Sequence, residues 1–317
     1  MSARGGPAPK LPLEHLLCDA TNICAKCGAM AVTSKCSRCL RVRYCDKRCQ
    51  EKHLSQHKKV CKTPEQQEVG AGQQEDRNMR LYNASLLGDL PTVTALIAEG
   101  ADVNWADPET KSTPIHAASQ RGHLSVVKAL IAARAVVDRV DADGFTALML
   151  AAERGHEAIV VALHRVAGAS VHHVSNQGRT ALHQAAQNGH VGVVRYLLRA
   201  AANPNVVSTD GLGATPLTLA SGNGHPAVVQ ALIEAGANVD HASTQGATSL
   251  MLAAQEGHIE VVRALLAAKA DPRIVALMGG TALSAAKRNK HTAIAALLEA
   301  RLAELAAAGS GTALRTC

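Results

Sequence analysis

Cysteine carries the most specific chemistry in this chain of 317 residues, because eight of its nine cysteines lie before residue 62. Seven of them form a run with one histidine: Cys24 and Cys27, Cys36 and Cys39, Cys45 and Cys49, then His57 and Cys61. The spacing is CxxC, CxxC, CxxxC, HxxxC. A CxxC turn aims two thiolates at one tetrahedral ion, and an i, i+4 pair places both donors on one face of a helical turn. Eight such donors close two structural zinc sites and leave no position for a catalytic water. His53 also stands four residues after Cys49, but only His57 forms an HxxxC pair. Cys18 and Cys317 fit neither site and read as free thiols.

The segment that must position these ligands is small. Residues 24–61 offer Val32, Leu40, Val42, Tyr44, Leu54 and Val60 as their sizeable apolar groups, too few to form a core without help. Zinc in finger peptides contributes about 10–16 kcal/mol, which becomes folding energy when the apo form is unfolded. The segment is also basic: residues 1–62 carry 13 Lys+Arg against 4 Asp+Glu, while the remainder carries 20 against 22. Seven thiolates and two zinc ions would lower its formal charge from +9 to roughly +6.

This ligand order resembles the MYND zinc finger, as do Tyr44 before Cys45, the basic stretch DKRCQEKHLSQHKKVC and the closing HxxxC. The resemblance implies a cross-braced pair of sites, with Cys24, Cys27, Cys45 and Cys49 on one zinc and Cys36, Cys39, His57 and Cys61 on the other. It also implies recognition of short proline-containing peptides, often of PxLxP type. Leu54 stands where many members have Trp, a departure that bears on the peptide groove more than on metal binding. The chain's own PAPKLPL segment approaches such a motif, but its ordinary reading is a flexible proline-rich tail within residues 1–23.

After a polar linker, residues 62–75, the sequence repeats itself. TPIHAASQRGH from Thr113 returns in altered form at Thr146, Thr180, Thr215, Thr248 and Thr281, at intervals of 33, 34, 35, 33 and 33 residues. Each unit opens with a threonine suited to capping a helix, continues through small residues, and ends its first helix at a Gly-His pair. A second apolar helix follows, as in VVKALIAARA, and a polar turn such as VDRVDADGF leads onward. A further unit starts near Met79. Period and opening motif resemble the ankyrin repeat, which predicts a mainly α solenoid of about seven helix pairs over residues 76–301, with a helix extension and tail over 302–317.

In a solenoid of this kind the hairpin tips and first helices present a surface for other proteins. On the tips, Trp105, Arg139, Asp141, Asn176, Asp210 and Gln245 are the candidate partner-binding residues, Trp105 being the sharpest because a lone exposed indole can anchor a partner. The alternative is that it packs on its neighbours. His123, His156, His190, His225, His258 and His291 recur once per unit and read as structural hydrogen-bonding groups. The apolar run IVALMGG, residues 274–280, reads either as a partner patch or as a segment buried under the last helix. Lys290 replaces the glycine found in the other units, so its turn must strain or change shape.

No secretory leader is legible in residues 1–17, and no run of 18 apolar residues occurs, so the expected setting is cytoplasmic or nuclear. No phosphate loop, dinucleotide fingerprint or nucleophile elbow is present. The function expected is a non-enzymatic zinc-binding adaptor, its finger taking a proline-containing peptide and its solenoid a second protein. The alternative is a ubiquitin-ligase-like or nucleic-acid-binding regulator using the basic zinc module. The CxxxC-HxxxC order departs from the RING pattern, and Tyr44 is the finger's sole stacking platform, so nucleic acid is disfavoured.

Overall fold

The computed structural model describes residues 34–35, 43–44 and 64–311, with side chains over 72–307. It divides into two compact units, 1–76 and 77–317. In the first, β1 (Ser34–Lys35) pairs antiparallel with β2 (Arg43–Tyr44), with Ser34 opposite Tyr44 and Lys35 opposite Arg43. The eight predicted zinc ligands lie outside the described residues. Helix α1 (Pro64–Leu87) begins within the segment read as a linker, which is therefore helical from Pro64 onward.

The second unit is two layers of helices. The first layer holds the end of α1, then α3 (Pro114–Arg121), α5 (Ala147–Glu153), α7 (Ala181–Gln187), α9 (Pro216–Gly222), α11 (Ser249–Glu256) and α13 (Ala282–Arg288). The second holds α2 (Leu90–Ala98), α4 (Leu124–Ala132), α6 (Glu157–Val161), α8 (Val191–Arg199), α10 (Pro226–Glu234), α12 (Ile259–Ala267) and α14 (Thr292–Gly311). Packing is serial within each layer, α3 on α5 on α7 in the first and α2 on α4 on α6 in the second. Every helix thus buries its apolar stripe against the units before and after it, and no single unit has a core of its own.

Local sequence explains each pair. The opening threonines sit in extended backbone, and those at Thr146, Thr215, Thr248 and Thr281 accept the amide three residues on, filling one of the donors a helix start leaves open. Small residues at the Ala-Ala positions, such as Ala151–Ala152 and Ala185–Ala186, are wholly buried and let adjacent first helices approach. In the second helices two branched residues and a leucine three further on form the buried stripe: Val126, Val127 and Leu130; Val193, Val194 and Leu197; Val261, Val262 and Leu265.

The Gly-His pair locks one unit to the next. A Cβ on Gly88, Gly122, Gly155, Gly189, Gly224 or Gly257 would lie 2.5 to 2.7 Å from the histidine ring of the following unit. These glycines are therefore required twice over, for a left-handed turn and for the ring that covers it. Nε2 of each histidine reaches back to a carbonyl at the end of the preceding first helix, from His123 to Leu86 O at 3.1 Å through to His291 to Gln255 O at 3.0 Å. The recurring histidines are structural, as their position in each unit predicts.

Two irregularities coincide with breaks in the period, and a third with a change in the motif. The 34-residue interval carries one extra residue in its second helix, and Ala162–Val166 forms a π-turn that absorbs it. The 35-residue interval lengthens a hairpin, so that Ser208 N bonds Ala214 O where its neighbour closes between Ser175 and Arg179. At Lys290 the turn keeps its shape and takes φ +61°, the strained alternative. Among the described residues no unit follows that would bring another histidine ring over this turn, as His291 covers Gly257. Helix α14 continues through Gly309–Gly311, further than the sequence analysis placed its end.

Candidate functional site

Six hairpins join the units, spanning residues 102–112, 136–145, 170–179, 203–214, 238–247 and 271–280, and each closes on itself through a backbone bond such as Asp141 N to Phe145 O at 3.0 Å. Their tips are then bonded to one another. Ala142 N donates to Thr110 O, Asn176 N to Asp143 O, Thr209 N to Gln177 O, Thr244 N to Leu212 O and Leu277 N to Gln245 O, at 2.8 to 3.1 Å. The loops form a continuous ladder of fingers, and its backbone groups satisfy each other across the repeats.

A second row of bonds runs at the bases of the fingers. Asn104 Oδ1 accepts from Val136 N, Asp138 from Ser170 N, Asn205 from Asn238 N and Asp240 from Asp271 N, at 2.7 to 3.0 Å. His172 holds that place in the third finger, and among the described residues it makes no such bond. There Arg179 reaches across instead, its guanidinium donating to Asp210 at 2.8 and 3.1 Å with both side chains largely buried. Burial of Asp210 opposes its ionisation, but hydrogen bonds from Ser208, Arg179 and Leu212 outweigh it and hold the carboxyl below the usual range.

These rows decide what each predicted partner residue has left to offer. Asp141 is engaged by the amides of Asp143 and Phe145 and shapes its own turn. Asp210 is held by Arg179. Trp105 is half-buried, with its ring edge-on to Tyr82 at 6.1 Å, so it packs inside the first unit and shows solvent only part of the indole. Arg139 lends one guanidinium nitrogen to Asn104 O and Asn176 its amide to Ala142 O, yet both are exposed, as is Gln245.

Sequence reasoning passed over an apolar column beside them. The residue before each finger's first ladder position is Ala106, Val140, Val174, Val207, Ala242 or Val275, and the four valines are 37 to 59% exposed. Alignment of the turn segments by their closing bonds would have found it. Of the IVALMGG run, Ile274 packs on the core while Val275, Leu277 and Met278 are exposed, which removes burial under the last helix as the explanation.

Comparison with protein-family models finds two modules. Ankyrin repeats in sets of three copies match residues 81–172, 137–210, 155–243 and 202–276, which together span most of the chain. The chain belongs to the ankyrin-repeat family. A MYND finger matches residues 24–61, from the first predicted ligand to the last. Both modules are interaction modules and neither is a catalytic domain. The donor set of the MYND finger, seven thiolates and one imidazole with no carboxylate, is the chemistry of a tetrahedral structural zinc, so the residues present fit the metal this family binds. Among the described residues of the ankyrin array no group of three or more metal-ligating side chains converges, and no helix is long and apolar enough to cross a membrane.

Proposed function

We propose that this ankyrin-MYND chain is a non-enzymatic adaptor in which the finger binds a short proline-containing peptide and the finger ladder of the array binds a second protein. The observation that carries this reading is the pairing of two interaction modules on one chain. The ladder supplies the second surface: its backbone groups pair from finger to finger, so an apolar column of valines flanked by Arg139, Asn176 and Gln245 is offered alongside paired backbone.

Two structural zinc ions hold the finger in this reading, bound by Cys24, Cys27, Cys45 and Cys49 and by Cys36, Cys39, His57 and Cys61. The reduced thiols this needs suit the cytoplasm or nucleus. Capture of partners by the intact chain and by a Cys36→Ser/Cys39→Ser variant tests the division of labour. Loss of one set of partners with retention of another is expected. Identical partners from both proteins would refute the bipartite reading.

A further inference from the structure

The two ends of the finger ladder differ in chemistry. At every junction the incoming finger donates through the residue after its first ladder position, which is Ala142, Asn176, Thr209, Thr244 or Leu277. In the first finger that residue is Pro108, which has no amide hydrogen. The ladder is therefore closed at its beginning, in the way natural sheets blunt an exposed edge.

Its other end is open. The accepting carbonyl passes from Thr110 through Asp143, Gln177, Leu212 and Gln245, and the next in register is Met278, with no finger beyond it among the described residues. In the second to sixth fingers the glycine before the closing residue tells the same story. A Cβ on Gly144, Gly178, Gly213 or Gly246 would strike the following finger at 2.6 to 3.0 Å, whereas one on Gly279 would meet nothing within 4 Å. Leu277 and Met278 at this tip are 79 and 94% exposed, where the other tips are mainly polar. Charge is in place as well. Gly280 corresponds to Arg179, and although it has no side chain, the Arg288 guanidinium lies 3.9 Å from where its Cβ would be.

We infer that the C-terminal end of the ladder is a docking site for one finger-shaped segment of another protein, which extends the stack by presenting an amide to the Met278 carbonyl, an apolar side chain to Leu277 and Met278, and a carboxylate to Arg288. The five junctions within the chain show what such an occupant looks like, since the proposed contact continues an interface already built five times. Pro108 argues against a second copy of this chain, whose leading finger cannot donate. Lys290 argues against a whole stacked repeat, because its Cβ stands where the glycines elsewhere admit the next histidine ring. The inference rests on the adaptor reading but concerns one end of the array alone.

The probe is a synthetic peptide of residues 205–215, the finger that docks within this chain through both an amide, Thr209, and a carboxylate, Asp210. Added to the ¹⁵N-labelled intact chain, it is expected to shift the amides of Val275, Leu277 and Gly279. Met278→Asp and Arg288→Gln in the chain, and N-methylation of the peptide's Thr209, should each weaken it about tenfold. Circular dichroism confirms that the exposed substitutions leave the fold intact. Three results would overturn the inference: no shift at these amides with millimolar peptide, an affinity gain on removing residues 312–317, or self-association of the chain that Met278→Asp abolishes. Each leaves the partition of partners between finger and array untouched, so failure here is distinguishable from failure of the adaptor reading.

Discussion

His183 is wholly buried, its Nδ1 taking the Thr180 amide at 3.0 Å and its Nε2 facing Ala214 O at 3.3 Å. Desolvation lowers its pKa from 6.5 to about 4, and the same cause lowers that of His116. A histidine held neutral in the fold is protonated first in the unfolded chain, so stability is complete above pH 6.5 and falls as pH drops toward 4. For His183 the loss is on the order of 3 kcal/mol. Urea unfolding across that window should show it, and His183→Thr should reduce it to the part that His116 contributes, since Thr218 fills the same slot in the next unit with hydrogen bonds to Thr215. At the turns, Gly155→Ala must hold φ +75° and push its Cβ into the His190 ring, costing at least ~2 kcal/mol in the same assay. Lys290→Gly has the opposite sign. It relieves the one strained turn in that column and should gain under ~1 kcal/mol after the entropy of glycine is subtracted. The histidine roles were legible because a residue recurring once per period marks packing. The environment of Trp105 was not, because its partner Tyr82 stands 23 positions earlier in α1 and no local pattern joins them.

Helix α6 shows how one element tolerates a change that shifts its register. The π-turn after it carries the additional residue of the third unit and turns His164 toward Tyr196 of α8, with Nδ1 to hydroxyl at 2.9 Å and the rings edge-on at 5.8 Å. Removing Val166, which is 73% exposed, should let the α-helix close and leave the melting temperature within ~3 °C of the parent. The same deletion at Val127 in α4, where no residue is in excess, should lower it far more, because Leu130, the buried residue that follows, then rotates out of place. Thermal melts followed by circular dichroism compare the two. The interval of 34 residues announced the insertion, but its location was hidden. Spacing between unit starts counts residues, whereas the cost of accommodating one depends on which carbonyls can change partner. The elements themselves were legible from capping threonines and apolar periodicity. The ladder between hairpins was not, since it is made of backbone groups that every sequence possesses.

The whole chain joins a zinc-binding finger to an array held by neighbour contacts, and the two should respond differently to chelation. EDTA is expected to release two zinc ions per chain by elemental analysis while the array's melting temperature stays within about 2 °C, because among the described residues the array's cross-repeat bonds run between its own units. A fall in that temperature in step with metal loss would show that the array depends on the finger. Within the array the joints are not equal. Between the third and fourth hairpins, where His172 makes no such cross-repeat bond, the Arg179–Asp210 ion pair stands in for the neutral bond found at the other finger bases, and an ion pair is the kind of bond that concentrated salt and acid can both attack. Stress of that sort should part the array in its middle, into two shorter blocks, before its ends begin to peel. The chain has a fault line, and its position was set where one imidazole took the place of an acid or amide.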